Sequence, residues 1–362
     1  MSMHVNGASA PIGSTLPAPL RTAPDMNSNW SEVELDFDTA AERIVQAHAK
    51  DGNHRDLPLT NLNTWAVAPH EGKFALVPLA RHHSPKPLRA AAFGNLMTRL
   101  GAPADFIRKL PAPLQLATLN YLLAEHDEGS AATLRLRNDE VSAIVSGRYA
   151  PLDPIELVET IRDGLRRFGI LHDVRVRGVA SGLVDNMRLV LPNDDAPVRP
   201  GDTSAVGIDI TSSSFARSAV HVSPVVWRLV CSNGLKRAER GAGLSFRHVG
   251  DTQRLRDGVA EAIPAALVHA RGVMDQWRRS VSFMIEDVQQ QIEAMRELTV
   301  PEKKNLEMAL AHETGRPELP ARAPVYDFVN ALTASAKSGS PSRRLELEAI
   351  AGDLLTRHVG SA

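Results

Sequence analysis

An α+β fold is predicted, with a central, mostly antiparallel sheet and a packed helix, flanked by N-terminal helices and a helical C-terminal region. Three observations predict it. Residues 87–125 repeat their apolar positions at helical spacing. From 133 the period falls to two in successive short segments. After 250 the helical pattern returns and runs almost to the end. Most links between the strand-like segments are too short for helical crossovers, so antiparallel pairing is expected. The boundaries that follow are a disordered tail over 1–28, a helical N-terminal region over 29–130, an α+β core domain over 131–250 and a helical C-terminal region over 251–358.

The opening MSMHVNGASAPIGSTLPAP is rich in Ser, Pro, Ala and Gly and reads as a disordered tail. It lacks the basic and apolar regions of a secretory signal. In WSEVELDFDTAAERIVQAHAK the acids Glu32, Glu34, Asp36 and Asp38 alternate. They read as a solvated edge, because nothing downstream completes a metal cluster. Thr39 and Glu42 form a capping-box pattern that opens a short helix. PLRAAAFGNLMTRLG predicts a helix ending at Gly101. A short helix, a break at Pro111 and Pro113, and a second helix follow, with Leu114, Leu116, Leu119, Leu122 and Leu123 on one face.

LRLRNDEVSAIVSGRY predicts a hairpin around Asn138-Asp139-Glu140. In DPIELVETIRDGLRRFG, Asp153 is an N-cap, Pro154 the first helical residue, Glu156 the N3 partner and Gly169 the stop. Ile155, Val158, Ile161, Leu165 and Phe168 are its expected core face. VRVRGVASG, NMRLVLP, AVGIDITSSS and SAVHVS predict strands. SPVVWRLVCSNG reads as a short helix, capped by Ser223 and Pro224 and closed at Gly234; the alternative is a hairpin turning at Asn233-Gly234. Beyond 250 one long helix is expected to break or kink at Pro264, and three more helices follow.

The 362 residues are enough for one large domain or two ordinary ones. A formal net charge of −1 gives no global cationic signature, so an anion-binding surface must come from local clustering. The single cysteine excludes a disulfide framework and a Cys-based zinc cage, and it fits a reducing cytoplasm. No apolar run approaches the roughly 20 residues of a membrane span, so no membrane partner is expected.

LRLRNDEVSAIVSGRYAPLDPIELVETI, VSPVVWRLVCSNGLKR and the C-terminal VYDFVNALT, with Asn330-Ala331-Leu332-Thr333, resemble the family called domain of unknown function 932. The resemblance covers roughly 90–335. It implies a phage, plasmid or other mobile-element setting in the cytoplasm, and it supplies no catalytic residue. The proline-rich N-terminal tail departs from the family pattern.

No catalytic residue, cofactor or metal site is predicted. No G-x-x-x-x-G-K-[ST] loop, strand-borne G-x-G-x-x-G or H-E-x-x-H is present. His82 and His83 are adjacent and diverge, so they read as surface residues. Asp185, Asp194, Asp195 and Asp202 read as a turn-rich loop. Asp209 faces opposite to Ile208 and Ile210 and is the one candidate nuclease acid, but no E-x-K follows it. Cys231 near a helix C-terminus would have its thiol pKa raised, against the needs of a nucleophile, and reads as packing.

The cations are more informative. Arg217, Arg228, Lys236, Arg237, Arg240 and Arg247 face a single acid, Glu239, between 217 and 247. Arg135 and Arg137 share one strand face, and Arg175 and Arg177 another. For Arg135 and Arg137 a plain solvated face is an equal reading. The candidate nucleic-acid-binding residues are Arg217, Lys236, Arg237, Arg240, Arg247, Arg175 and Arg177, with Phe215 as a stacking residue after three serines. Glycines and serines among these cations allow close approach to phosphate. The expected function is non-enzymatic binding or annealing of single-stranded DNA. The element order is similar in outline to strand-annealing proteins that form oligomeric rings, which makes a homo-oligomer an expectation too. The alternatives are a regulatory factor acting on host defence or replication, with C-terminal helices driving assembly, and a metal-dependent nuclease using Asp209.

Overall fold

The computed structural model describes residues 31–71, 73–80, 83–126, 131–228, 233–236, 243–336, 339 and 341–360. The chain divides into two compact units, whose described parts are 51–149 and 31–50 with 150–360. Numbered along the chain, β1 (Ser31–Leu35) and α1 (Phe37–Lys50) belong to the second unit. The first unit holds β2 (His54–Leu59), β3 (Trp65–His70), β4 (Lys73–Pro78), β5 (Lys86–Pro87), α2 (Ala90–Arg99), α3 (Ala104–Lys109), α4 (Ala112–Ala124), β6 (Ala132–Arg137) and β7 (Glu140–Ser146). The second resumes with α5 (Pro154–Arg167), β8 (Arg175–Ala180), β9 (Asp185–Arg199), β10 (Asp202–Ser212), β11 (Val220–Arg228), β12 (Asn233–Lys236) and β13 (Leu244–Phe246). It closes with α6 (Thr252–Arg279), β14 (Met284–Ile285), α7 (Val288–Ala294), α8 (Val300–Glu313), β15 (Ala323–Pro324), α9 (Val325–Ser335) and α10 (Pro341–Val359). The fold class is α+β, and the ladders between these strands are antiparallel.

In the first unit, three-stranded sheets β2-β6-β7 and β3-β4-β5 surround a core of Trp65, Phe74, Phe93, Leu119 and Leu134. The β6–β7 hairpin turns where expected. Asn138 and Asp139 have φ of 48° and 65°, the left-handed pair a two-residue turn requires. The stretch read as helical also carries β2 to β5, whose short strands lack a clean alternation. On α4 the buried residues are Ala112, Gln115, Leu119 and Leu123, while Leu114 is exposed. The predicted leucine stripe is therefore rotated, because Gln115 turns inward to donate to the Ile107 and Arg108 carbonyls at 3.1 Å.

In the second unit, one sheet runs β1-β8-β9-β10-β11-β12, with β13 also pairing β11. Helix α6 packs on β10 and β11, α5 packs on α6, and α1 packs on α5 and β8. Helix α1 begins earlier than the Thr39–Glu42 pattern implied. Asp36 caps it, accepting from the Thr39 N–H at 2.9 Å and the Thr39 hydroxyl at 2.8 Å. On α5 the Asp153–Glu156 capping box and Pro154 stand as read, and Gly169 takes the left-handed φ of 73°. Its core face is Leu157, Val158, Ile161 and Leu165, whereas Ile155 and Phe168 are exposed, because α6 approaches on the Gly164 side. A Cβ on Gly164 would lie 2.5 Å from Ile263 Cδ1 and 2.9 Å from the Ala260 carbonyl oxygen. Gly164→Ala is expected to lower stability in urea unfolding by about 1–3 kcal/mol, the usual cost of overpacking.

The helical reading of 223–234 fails in this unit. SPVVWRLVCSNG contains no helix among its described residues. It supplies β11, paired with β10 from Ser204↔Arg228 to Thr211↔His221. The valines that fit a helical stripe also suit a buried strand, and neighbours on both sides decide the matter. Pro224 is tolerated because β13 pairs residues 220–222 and β12 pairs 225–228, leaving it between the two partners. Asn233 and Gly234 open β12 opposite Arg228 and Trp227 and are not themselves the turn, while Cys231 lies outside the described residues. Nor does Pro264 end α6, which runs unbroken from Thr252 to Arg279. Burial of Val259, Ile263, Leu267 and Trp277 along it offsets the hydrogen bond a proline removes.

Helix α9 is buried from Val325 through Thr333 and packs against α8 and α10. Its Asn330-Ala331-Leu332-Thr333 segment is thus internal, with the Thr333 hydroxyl donating to the Asn330 carbonyl at 3.0 Å. A helix so enclosed stabilises its own unit and is not a free assembly surface.

Candidate nucleic-acid interface

Strand alternation in the second unit separates two faces. Leu189, Val206, Ile208, Ile210, Val222 and Val226 join the apolar core. Asn186, Arg188, Asp209 and Trp227 point the other way by register. That second face is not open. Arg188, Asp209 and Glu348 of α10 are at most 1% exposed. Arg188 grips Glu348 with both terminal nitrogens, at 2.6 and 3.2 Å, and reaches Asp209 at 3.4 Å. Arg344 reaches Glu348 at 3.1 Å, and the Asn186 amide donates to Asp209. The Arg188 guanidinium lies 5.0 Å over the Trp227 ring. Asp209 does face opposite to Ile208 and Ile210, as read, but it is a buried ion-network carboxylate and not a solvent-open nuclease acid. Among the described residues no group of three or more His, Cys, Asp or Glu is placed to hold a metal ion.

The acids read as a loop between 185 and 202 lie on the β9–β10 hairpin. Asp185 accepts from the Ser181 hydroxyl at 3.0 Å, and Asp202 pairs with Arg228 at 2.7 Å. Arg228 also meets Glu313 at 3.1 Å, and Tyr326 donates to Asp202. Burial pulls the Arg228 guanidinium pKa down. The hydrogen bond to Asp202 and the charge of Glu313 outweigh burial, so the net shift is upward. Burial and the Asp202 bond raise the Tyr326 phenol above its ordinary range. Arg228 is therefore neutralised within its own unit.

Several predicted cations are likewise occupied. Arg177 pairs with Glu34 at 2.6 Å and Arg162 with Asp38 at 2.9 Å, so two acids of the solvated edge are also ion-pair partners. Arg175 donates to the His172 and Val174 carbonyls at 3.2 and 2.9 Å. In the first unit, Arg135 pairs with Asp56 at 3.1 Å beneath the Tyr149 ring, and Arg137 pairs with Asp51. Both are buried, so neither a solvated nor a phosphate-facing strand describes them. Phe215 is also buried, at 4% exposure, and cannot stack on a base. Its serine loop closes on itself, since Ser213 Oγ accepts from the Phe215 and Arg217 N–H groups at 3.2 and 3.1 Å. Those amides are not offered to an anion. Arg237 and Arg240 lie outside the described residues, and Lys236 is described in its β12 backbone only.

Arg217 and Arg247 remain, and the fold brings them together. Arg217 comes just before β11 and Arg247 just after β13. Val220 pairs with Phe246 in an antiparallel ladder, so both cations sit at one end of the strand pair. Phe246, half-buried, lies over Gly258 of α6, whose added Cβ would be 3.0 Å from the ring. Arg254 lies one turn before Gly258 on the same face of α6. Arg247 and Arg254 are exposed and Arg217 is half-buried. Among the described residues none of the three guanidinium groups has an ion-pair partner. The nearby Asp251 carboxylate caps α6, accepting from the Arg254 N–H at 2.8 Å. Cations carried on chain segments next to a partly exposed aromatic ring suit phosphates and a stacked base. Sequence reasoning passed over Arg254, which belongs to a separate helix, and its stacking candidate Phe215 is buried.

A family model described as "Domain of unknown function (DUF932)" matches residues 141–351. No curated protein and no solved structure matches the chain.

Proposed function

We propose, for a chain that belongs to the family described as Domain of unknown function (DUF932), a function carried by its own residues: non-enzymatic binding of single-stranded nucleic acid at the Phe246 patch. The supporting observation is that Arg217, Arg247 and Arg254, each without an ion-pair partner among the described residues, sit on the segments that flank a half-buried phenylalanine, at the shared end of β11 and β13 and one turn from Gly258 on α6. Most other arginines named from the sequence are paired with acids. Free cations grouped beside an aromatic ring suit a phosphate backbone and its unstacked bases. A phage, plasmid or other mobile-element setting, with single-stranded DNA as ligand, fits this reading.

The test is fluorescence anisotropy of a labelled oligodeoxynucleotide across a salt series. Binding at low salt is expected, weakening as salt rises. The triple variant Arg217→Ala, Arg247→Ala, Arg254→Ala should flatten the plot of log affinity against log salt by about 2, at roughly 0.7 per lost phosphate contact. All three side chains have at least partial solvent exposure, so the fold should survive. Absence of low-salt binding, or an unchanged slope in the triple variant, sinks the proposal.

A further inference from the structure

The first unit contains a cleft of about 300 Å³ that the nucleic-acid reading does not use. Its lining includes Pro58 and Thr60 at the end of β2, Pro78 and Ala80 at and just after the end of β4, and Trp65 and His83. Trp65 opens β3 directly opposite Pro78. It is anchored in the unit's core at 4% exposure, while His83 is exposed. Their rings are nearly parallel, 17° apart in plane, with centroids separated by 5.8 Å.

We propose that this cleft binds a planar, uncharged heteroaromatic ring of the nucleobase type, stacked against the Trp65–His83 pair. Offset parallel stacking is a favoured arrangement for aromatic rings, and a third flat ring extends it. The proline rings give flat apolar walls. Thr60, exposed at the rim, offers a hydroxyl to the ring edge. The neighbouring Thr64 hydroxyl is engaged with the Asn61 carbonyl at 2.8 Å. The described lining residues are aromatic, proline, aliphatic and hydroxyl side chains, the set that suits a flat ring with one polar edge. Its volume is at the small end of small-molecule pockets, which suits one bicyclic ring. An extended proline-rich peptide, the other ligand that aromatic and proline surfaces take, needs a longer groove.

The experiment titrates adenosine into the full-length protein and follows tryptophan fluorescence at low and high salt. Saturable quenching with little salt dependence is expected. His83→Ala should weaken adenosine binding about tenfold, in keeping with the loss of one stacking partner. His83→Phe should restore it. His83 is exposed, so these variants leave the core intact. Lack of saturable quenching, equal affinity in His83→Ala, or displacement of adenosine by a proline-rich peptide overturns the proposal. Because adenosine carries no charge, failure here leaves salt-dependent oligonucleotide binding untouched, and the reverse also holds.

Discussion

Replacing Arg188 with methionine is expected to cost about 3–5 kcal/mol of stability, the usual penalty for breaking a buried ion pair from one side. Arg188 is fully buried between Asp209 and Glu348, and Arg344 approaches the same glutamate. In these contacts two guanidinium groups meet two carboxylates. Methionine fills much of the volume over Trp227 but withdraws the guanidinium that both acids face. An unpaired buried charge is expensive because water cannot reach it. Glu348 belongs to α10, so the loss should also loosen that helix. Urea unfolding measures the first effect, and limited proteolysis with mass analysis of the C-terminal fragments measures the second. Arg188→Met combined with Glu348→Met should lose less than the sum of the two single variants, since the partners share one interaction. A loss below about 1 kcal/mol for Arg188→Met would show that the network is not closed to solvent.

Gly207→Ala is expected to be equally damaging, at about 4 kcal/mol or more, beyond the range of ordinary substitutions. The added methyl would lie 2.1 Å from the Leu189 carbonyl oxygen and 3.1 Å from Val190 Cα. Both obstacles are backbone of β9, so no rotamer change relieves the clash. The register explains the closeness. Ala205 pairs with Asp195 and Gly207 with Val190, so β9 carries extra residues that bow it over β10 at this point. The two strands are central in the sheet and cannot separate without exposing the core beneath them. Circular dichroism and thermal unfolding of the variant check this. A melting profile close to that of the parent would mean that β9 is free to move away.

Much of the local structure was legible. Asp153, Pro154, Glu156 and Gly169 frame α5 because caps and stops depend on residues close in sequence. Asn138-Asp139 marks its turn for the same reason. Ser223-Pro224 carried an equally good helical signature and was misread. Its valines obey strand pairing with β10, β12 and β13, and the more distant of these partners lie some 20 residues away. The candidate site followed the same division. A local excess of cations was visible, and Arg217 and Arg247 were named from it. Which arginines were already neutralised was not visible, because Arg177 finds Glu34, Arg228 finds Glu313 and Arg188 finds Glu348 across the fold.

By itself, then, the sequence determined the α+β class, the antiparallel character, the ends of α5 and the region where cations concentrate. Each follows from propensities and spacings within one or two turns of chain. Only the tertiary structure decided which charges are paired, that Phe246 is partly exposed while Phe215 is buried, and that Trp65 and His83 stack. A charge is neutralised, or a ring covered, by whatever folding brings within a few ångströms of it, and sequence distance carries almost no record of that.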